Sequence, residues 1–174
     1  QASVIHMLTL DGEDFWENVK ALNICPVSIT YEYDPCDYLK AAEMQLKRDN
    51  PKWKKTKKDD VLSMRTGIEG YKGRVVYRLT KSINPEIDAM LSVHPEYKEQ
   101  PAHEQLQHVC DIIDRHIHQG YEIYEHGTEF EAYIESRLAK IDILNKDEKF
   151  LREKLIEMYS FPAINYRKSL ELKD

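Results

Sequence analysis

Three carboxylates follow closely on a β-rich run and are the first candidates for chemistry. Residues 24–33 are rich in β-branched and aromatic side chains and predict an interior strand with buried apolar residues. Glu32, Asp34 and Asp37 lie at or just beyond its end. On an extended strand Glu32 and Asp34 would project to the same side, and Asp37 could join them. Such a trio could hold a divalent cation for phosphodiester hydrolysis. Pro35 interrupts the strand, however, and we interpret Asp37 as the N-cap of the next helix.

The histidines and cysteines predict neither a metal site nor a nucleophile. His116 and His118 are two positions apart on a predicted helix, so they point to different faces. The three cysteines lack metal-ligand spacing. Asp34 and Asp37 lie close to Cys36, and negative neighbours should raise the pKa of its thiol. We therefore expect reduced cysteines in a cytoplasmic setting and no bound metal.

A lysine-rich segment, residues 52–58, is the strongest local charge feature of this 174-residue chain, whose formal net charge is -6. The negative total predicts no nucleic-acid partner. We interpret the segment as a contact for an anionic partner: a phosphate head group, an acidic-lipid membrane or an acyl-carrier protein. A solvated loop is the alternative. The tryptophan in the segment favours the membrane, because indole rings settle at headgroup level. The predicted contact residues are Lys52, Trp53, Lys54, Lys55, Lys57 and Lys58.

The elements that must position these residues alternate between helix and strand in the first half of the chain. This order predicts the α/β class, with a partial mixed sheet layered with helices, in which the two strands could pair in parallel. The predicted helices are 14–22, 37–47 and 60–68, and the predicted strands are 24–33 and 74–83.

From about residue 100 the strand signal is absent and the pattern is helical. Residues 105–121 carry one apolar stripe at helical spacing. Two further helices are separated by only a few residues, so we expect an antiparallel hairpin. We therefore predict an α/β part over 1–95 and an all-helical extension over 96–174. The capping boxes predicted for the hairpin helices are Thr128 with Glu131 and Asn145 with Glu148.

A stretch around the first strand resembles the last conserved block of the PlsC-like glycerolipid acyltransferases, the family that includes the 1-acylglycerol-3-phosphate acyltransferases. It reads NICPVSITYEYDPCDYLKA, residues 23–41. The residues before it, and the later run GRVVYRLTKSINPEID (residues 73–88), are similar to a bacterial subgroup with a helical C-terminal extension. The resemblance implies transfer of a fatty acyl group from acyl-CoA or acyl-carrier protein to a glycerol-phosphate-type lipid acceptor. It implies substrate contacts by Pro26, Val27, Ser28 and Tyr31.

The family's catalytic signature is where this chain departs from it. That signature is a histidine with an aspartate five positions on, followed by a phosphate-binding Glu-Gly block, and the histidine acts as general base. Only His6 and Asp11 have this spacing, but His6 lies in an apolar, helix-like run. Too few residues separate Asp11 from the strand to hold the phosphate block. We interpret the pair as a chance spacing and expect the catalytic residues to precede Gln1.

Two functional classes follow from these patterns. In the first, the chain is the C-terminal part of an acyltransferase, inactive alone, without a bound cofactor, and held peripherally at the inner face of the membrane. In the second, it is a non-enzymatic module that binds a protein partner through the 105–121 stripe or the helical hairpin. The sequence predicts no membrane-spanning segment in either case.

Overall fold

The computed structural model describes residues 2–9 and 14–171. Within them the chain combines many helices with one small sheet, a mixed α/β arrangement that agrees in outline with the predicted class. The helices are α1 (Ala2–Leu8), α2 (Phe15–Leu22), α3 (Asp37–Asp49), α4 (Lys57–Glu69), α5 (Asn84–Val93), α6 (Ala102–Gln119), α7 (Glu129–Leu138) and α8 (Glu148–Glu171), with a short 3-10 helix at Pro95–Glu99. The strands are β1 (Val27–Tyr31) and β2 (Val75–Leu79).

The two strands pair antiparallel, which corrects the expectation of a mixed sheet with parallel pairing. The N–H of Thr80 donates to the carbonyl of Pro26 at 3.0 Å, and the N–H of Glu32 donates to the carbonyl of Arg74 at 2.9 Å. Residue numbers therefore rise along β1 while those of the paired residues on β2 fall, as in an antiparallel pair. Gly73 precedes β2 with φ 61°, a left-handed conformation that glycine adopts without steric cost.

The strand register gives the sheet one apolar face that is open to solvent. Between 37% and 77% of each side chain on this face is exposed. The opposite face of β1 buries Ser28 and Thr30. The prediction of an interior strand with buried apolar residues was therefore wrong about which face is covered. The exposed face consists of Val27, Ile29 and Tyr31 of β1, which lie opposite Leu79, Tyr77 and Val75 of β2.

Helix starts follow local signals in some places and contradict the predictions in others. Asp14 caps α2, as its carboxylate accepts the N–H of Trp16 at 2.8 Å. The predicted cap Thr128 has helical backbone angles and makes no side-chain cap bond to α7. Asn145 instead takes a left-handed φ of 54°, and the carboxylate of Asp147 accepts the N–H of Phe150, in the first turn of α8, at 3.1 Å. Asn145 and Asp147 are both good capping residue types, so sequence spacing alone did not show which of the two caps α8.

The later strand is shorter than the family-like run over 73–88 suggests. β2 ends at Leu79, and α5 begins at Asn84, inside that run. Pro85 lies in the first turn of α5, where its fixed φ suits a helix and its missing N–H is not needed.

The chain folds into two compact units that alternate along the sequence. The first unit comprises Gln1–Ile29, Val76–Tyr121 and Tyr166–Asp174. Its core uses part of the predicted α6 stripe, since Val109 is fully buried and Ile113 packs against the same core, next to the buried Ile112 that the stripe did not include. The predicted boundary between an α/β part (residues 1–95) and a helical extension (residues 96–174) describes the architecture of the family, and it stays a prediction. The buried side chains of this core are Trp16, Val19, Ile83, Ile87, Leu91, Val109 and Ile112.

The second unit comprises Thr30–Val75 and Glu122–Asn165 and contains both predicted hairpin helices. α7 and α8 share one core, and Arg152 of α8 forms ion pairs with Glu131 and Glu135 of α7. α3 packs into the same core through Ala41. The remaining buried side chains are Ile134, Leu138, Ile141, Leu151 and Leu155.

Candidate functional site

The residues predicted to bind substrate alternate between the two sides of the first strand region. Pro26 and Ser28 are buried, whereas Val27 and Tyr31 are exposed. Side chains in a strand alternate in this way because the backbone is pleated. Of the four, the structure brings Tyr31 to a concavity, together with its neighbour Thr30.

This concavity lies in the second unit, at the carboxyl end of β1. It is a shallow concavity with about 320 Å³ of empty volume, a figure that includes space open to solvent. The segment between α6 and α7 forms one wall and is fixed by the N–H of Glu122, which donates to the Thr30 hydroxyl at 3.1 Å. The lining residues are Thr30, Tyr31, Glu32, Glu122, Ile123, Tyr124, His126, Tyr159, Pro162 and Ala163.

His126 is the titratable group in this concavity that the sequence reasoning missed. Its ring stacks on Phe130 at 4.3 Å between centroids and lies 5.4 Å from the ring of Tyr159. Burial lowers the pKa of His126, against the opposing charges of Glu32 and Glu129. The neutral imidazole is therefore favoured and could accept a proton or a hydrogen bond. The signal was present in residues 121–128, where two tyrosines, two glutamates and a histidine fall between two helices.

His126 gives a pH prediction. Its pKa is lower in the folded protein than in the unfolded chain, so its contribution to stability is fully present above the unfolded pKa and is lost as the pH falls from that value through the folded pKa. We expect the urea midpoint to fall between about pH 7 and about pH 5, and His126→Gln to reduce that fall. The matched control is His103→Gln, since the His103 side chain is 81% exposed. Equal slopes for the His126 variant and the wild type would contradict this assignment.

The three carboxylates near residue 35 do not converge on one point. Glu32 accepts the N–H of Arg74 at 2.8 Å, and Asp34 lies 2.5 Å from the ammonium of Lys40. Asp37 points into the core of the second unit. Across the described parts of the chain, no three His, Cys, Asp or Glu residues are grouped to hold a metal ion. The hydrolytic trio that the spacing allowed is therefore not formed.

Asp37 forms a buried ion pair and is not the N-cap that we predicted for α3. It is the first residue of that helix and is fully buried. Nε and Nη2 of Arg137 lie 2.5 Å from its Oδ1, and Nη2 also donates to the carbonyl of Pro35 at 2.7 Å. The hydroxyls of Tyr133 and Tyr159 donate to Oδ2 at 2.8 and 2.7 Å. These contacts tie the chain after β1 to α7 and α8.

The titration behaviour of this cluster indicates a structural role. Burial raises the pKa of Tyr133 and of Tyr159, and the negative charge of Asp37 acts in the same direction. Burial lowers the pKa of Arg137, but the hydrogen bond to Asp37, the charge of Asp37 and the neighbouring Tyr133 and Tyr159 together raise it. The guanidinium thus stays charged beside its carboxylate, and both phenols stay protonated as donors. None of these groups is poised to exchange a proton at neutral pH.

The predicted lysine contacts lie in the second unit, at and before the start of α4. Their side chains are exposed, except that Trp53 is only partly so. Lys55 is already paired with Glu43 at 2.5 Å. Among the residues that the structure describes, the other four lysines have no carboxylate within ion-pair distance. These four are Lys52, Lys54, Lys57 and Lys58.

The remaining candidates give no catalytic centre. His6 lies exposed on α1, and Asp11 lies outside the described residues. Cys36 is unsuited to act as a nucleophile, as predicted, because burial raises the pKa of its thiol and the charge of Asp34 adds to that effect. Cys25 and Cys110 are free thiols as well.

Comparisons with known proteins do not assign a family. No protein-family model, no curated protein and no solved structure matches this chain. Within residues 2–9 and 14–171, no helix has both the length and the apolar character that crossing a membrane requires. A functional assignment therefore depends on the geometry and on the resemblance carried by residues 23–41.

Proposed function

We propose that this chain is the C-terminal part of a PlsC-like glycerolipid acyltransferase. The parent enzyme would transfer a fatty acyl group from acyl-CoA or acyl-carrier protein to a glycerol-phosphate-type lipid acceptor. The catalytic histidine and aspartate are assigned to a preceding segment, so the chain alone would be inactive. The resemblance of residues 23–41 and 73–88 to that family supports the proposal.

The exposed apolar face of the β1–β2 pair is the observation that carries this proposal. Two-stranded sheets are marginal alone, and an antiparallel sheet normally turns its apolar face to a core. Here Ile29 is 44% exposed and the opposite Tyr77 is 60% exposed, while Ser28 is buried. A further layer of an α/β domain would cover such a face. The acyltransferase domain implied by the resemblance supplies a layer of this kind.

The concavity at the end of β1 also supports the proposal. In the family, the corresponding strand is expected to shape the acyl and glycerol-phosphate pocket. Tyr31 and Thr30 reach the concavity from β1, and His126 reaches it from the α6–α7 segment. Its volume is small for a lipid substrate, so we assign it to one wall of a pocket that the parent enzyme completes.

Acyl transfer by the parent enzyme tests the proposal. We expect Ile29→Asp to lower transfer from palmitoyl-CoA to 1-acylglycerol-3-phosphate by roughly tenfold or more, because a carboxylate would be buried between layers. The matched control is Leu144→Asp, since Leu144 is 86% exposed and lies in the segment between α7 and α8. In this chain alone, Ile29→Asp should change the free energy of unfolding by less than about 0.5 kcal/mol.

Two results would contradict the proposal. The assigned reaction would be contradicted if the parent protein, with its upstream histidine and aspartate intact, transferred no acyl group. Wild-type activity of the Ile29→Asp parent would instead show that the apolar face has another purpose.

The alternative of a helical interaction module finds less support. The stripe proposed for it lies on α6, where Val109 is buried in the core of the first unit and Ile113 packs against that core. Those side chains could not bind a partner without unfolding their own unit.

A further inference from the structure

Helix α4 turns its polar side inward and its apolar side outward. None of its residues is fully buried. Its partly covered side carries Asp59, Ser63, Thr66 and Gly67. That side packs closely on Cys36, whose thiol donates to the carbonyl of Ser63 at 3.3 Å. A surface helix of a globular protein normally does the reverse and buries its apolar residues. The outward side of α4 is therefore suited to contact something beyond this chain.

The outward residues form a continuous apolar row, here called the α4 stripe. It consists of Val61, Met64 and Ile68, at helical spacings of three and four, and Tyr71 just beyond the helix end. Their exposed fractions are 64%, 67%, 77% and 75%. Isolated exposed apolar residues are common, but three in a row on one helix, with a fourth just beyond its end, mark an interaction surface.

Basic side chains surround the α4 stripe. Residues 52–72 contain seven lysines and arginines against three aspartates and glutamates, in a chain of net charge -6. All three acids are already engaged: Asp59 accepts the N–H and the hydroxyl of Thr56 at 2.8 Å each, Glu69 pairs with Arg65 at 2.8 Å, and Asp60 lies 4.0 Å from the ammonium of Lys55. Lys57 lies one turn before Val61 on the same side of the helix.

We infer that α4 docks on the surface of an anionic lipid bilayer. The α4 stripe enters the boundary between head groups and acyl chains, and the four unpaired lysines contact lipid phosphates. An apolar row bordered by lysines is typical of helices that lie in the membrane interface. A protein partner fits less well, because lysine is depleted at protein–protein interfaces. This inference goes beyond acyl transfer and does not depend on it.

Co-sedimentation of the full chain with lipid vesicles tests the inference. We expect binding to vesicles of phosphatidylcholine with about one-third phosphatidylglycerol, and much weaker binding to phosphatidylcholine alone. Ile68→Asp should weaken binding to the anionic vesicles by about tenfold or more, because it removes buried apolar area and adds repulsion. Lys57→Gln with Lys58→Gln should weaken it roughly 30-fold, as each basic residue contributes about 1 kcal/mol.

Matched controls separate the α4 stripe from general surface effects. Leu144→Asp changes an apolar residue that is 86% exposed elsewhere in the same unit, and Lys149→Gln removes an exposed charge from α8. Both should bind as the wild type does. Ile68→Gln, which adds no charge, keeps the test valid if Ile68→Asp disturbs the helix, and thermal melts report the folding of each variant.

Several results would overturn the inference. One is no binding of the wild type to anionic vesicles. Another is loss of binding in the lysine variants while the Ile68 variants bind normally, which would indicate a purely electrostatic contact. A third is a wild-type oligomer that Ile68→Asp dissociates without any change in vesicle binding, because the α4 stripe would then cover a protein. The assay contains no acyl donor, so its failure is distinct from failure of the acyltransferase proposal.

Discussion

Asp37→Ala should destabilise the protein by about 3–5 kcal/mol, the range for breaking a buried ion pair. The substitution leaves the guanidinium of Arg137 without its carboxylate, although only 9% of that side chain is exposed. The hydroxyls of Tyr133 and Tyr159 lose their acceptor at the same time. Urea denaturation of the variant and the wild type at about pH 7 measures the difference in the free energy of unfolding.

Two variants show whether burial is the cause. Lys40→Ala breaks an exposed ion pair with Asp34 and should cost less than about 1 kcal/mol, because water screens such pairs. Asp37→Leu combined with Arg137→Met should be less destabilised than the sum of the two single changes, since no unpaired charge remains. An Asp37→Ala protein within about 1 kcal/mol of the wild type would show that water reaches Arg137.

Local signals predicted much of the helical structure correctly. The helices α2, α3 and α6 appear close to their predicted positions, because periodicity and the Asp14 cap act within a few residues. The direction in which the two strands pair could not be predicted from such local signals. It depends on how the segment between β1 and β2 returns the chain, and periodicity does not encode that path.

The two main errors near β1 have a common physical origin. The partner of Asp37 lies 100 positions away on α7, so a local pattern could assign Asp37 only to a helix cap. The alternation in β1 correctly separates Ile29 from Ser28, but it does not say which of the two faces is covered. Which face of the strand is buried depends on the elements that pack against it, and in this chain they pack against the polar face.

The concavity was missed for a related reason. Its walls come from β1, the α6–α7 segment and α8, which are distant in sequence. Helical spacing shows only which histidines of one helix share a face, whereas His126 lies outside any helix. Its aromatic neighbours Phe130 and Tyr159 come from two different helices. The unusual composition of residues 121–128 was the only local sign.

Gly120→Ala should destabilise the protein by about 3 kcal/mol, the upper part of the range for overpacking a well-packed site. The backbone of Gly120, with φ -81° and ψ -5°, accepts alanine without strain. An added Cβ would lie 2.6 Å from the Cβ of Ser28, which is fixed to the buried side of β1 and cannot rotate away. Steric overlap is therefore the cause that we expect.

Gly67→Ala is the matched control and should have the opposite sign. Gly67 lies inside α4, and its added Cβ would approach only the Sγ of Cys36, at 3.6 Å. Replacing a helical glycine by alanine without overlap should stabilise the protein by roughly 1 kcal/mol. Thermal melts of both variants give the comparison, and two changes of the same sign would contradict the steric explanation.

Ser28→Gly in the Gly120→Ala background decides what Ser28 does. Removing the Ser28 side chain removes the overlap, so most of the lost stability should return, less about 1 kcal/mol for a glycine in a strand. Ser28 is 1% exposed, and its hydroxyl has no hydrogen-bond partner among the described residues. A hydroxyl that binds substrate must be accessible, whereas the Ser28 hydroxyl is buried and is covered by Gly120. Recovery of stability would therefore assign Ser28 to packing, leaving Thr30 and Tyr31 as the β1 residues that reach the concavity.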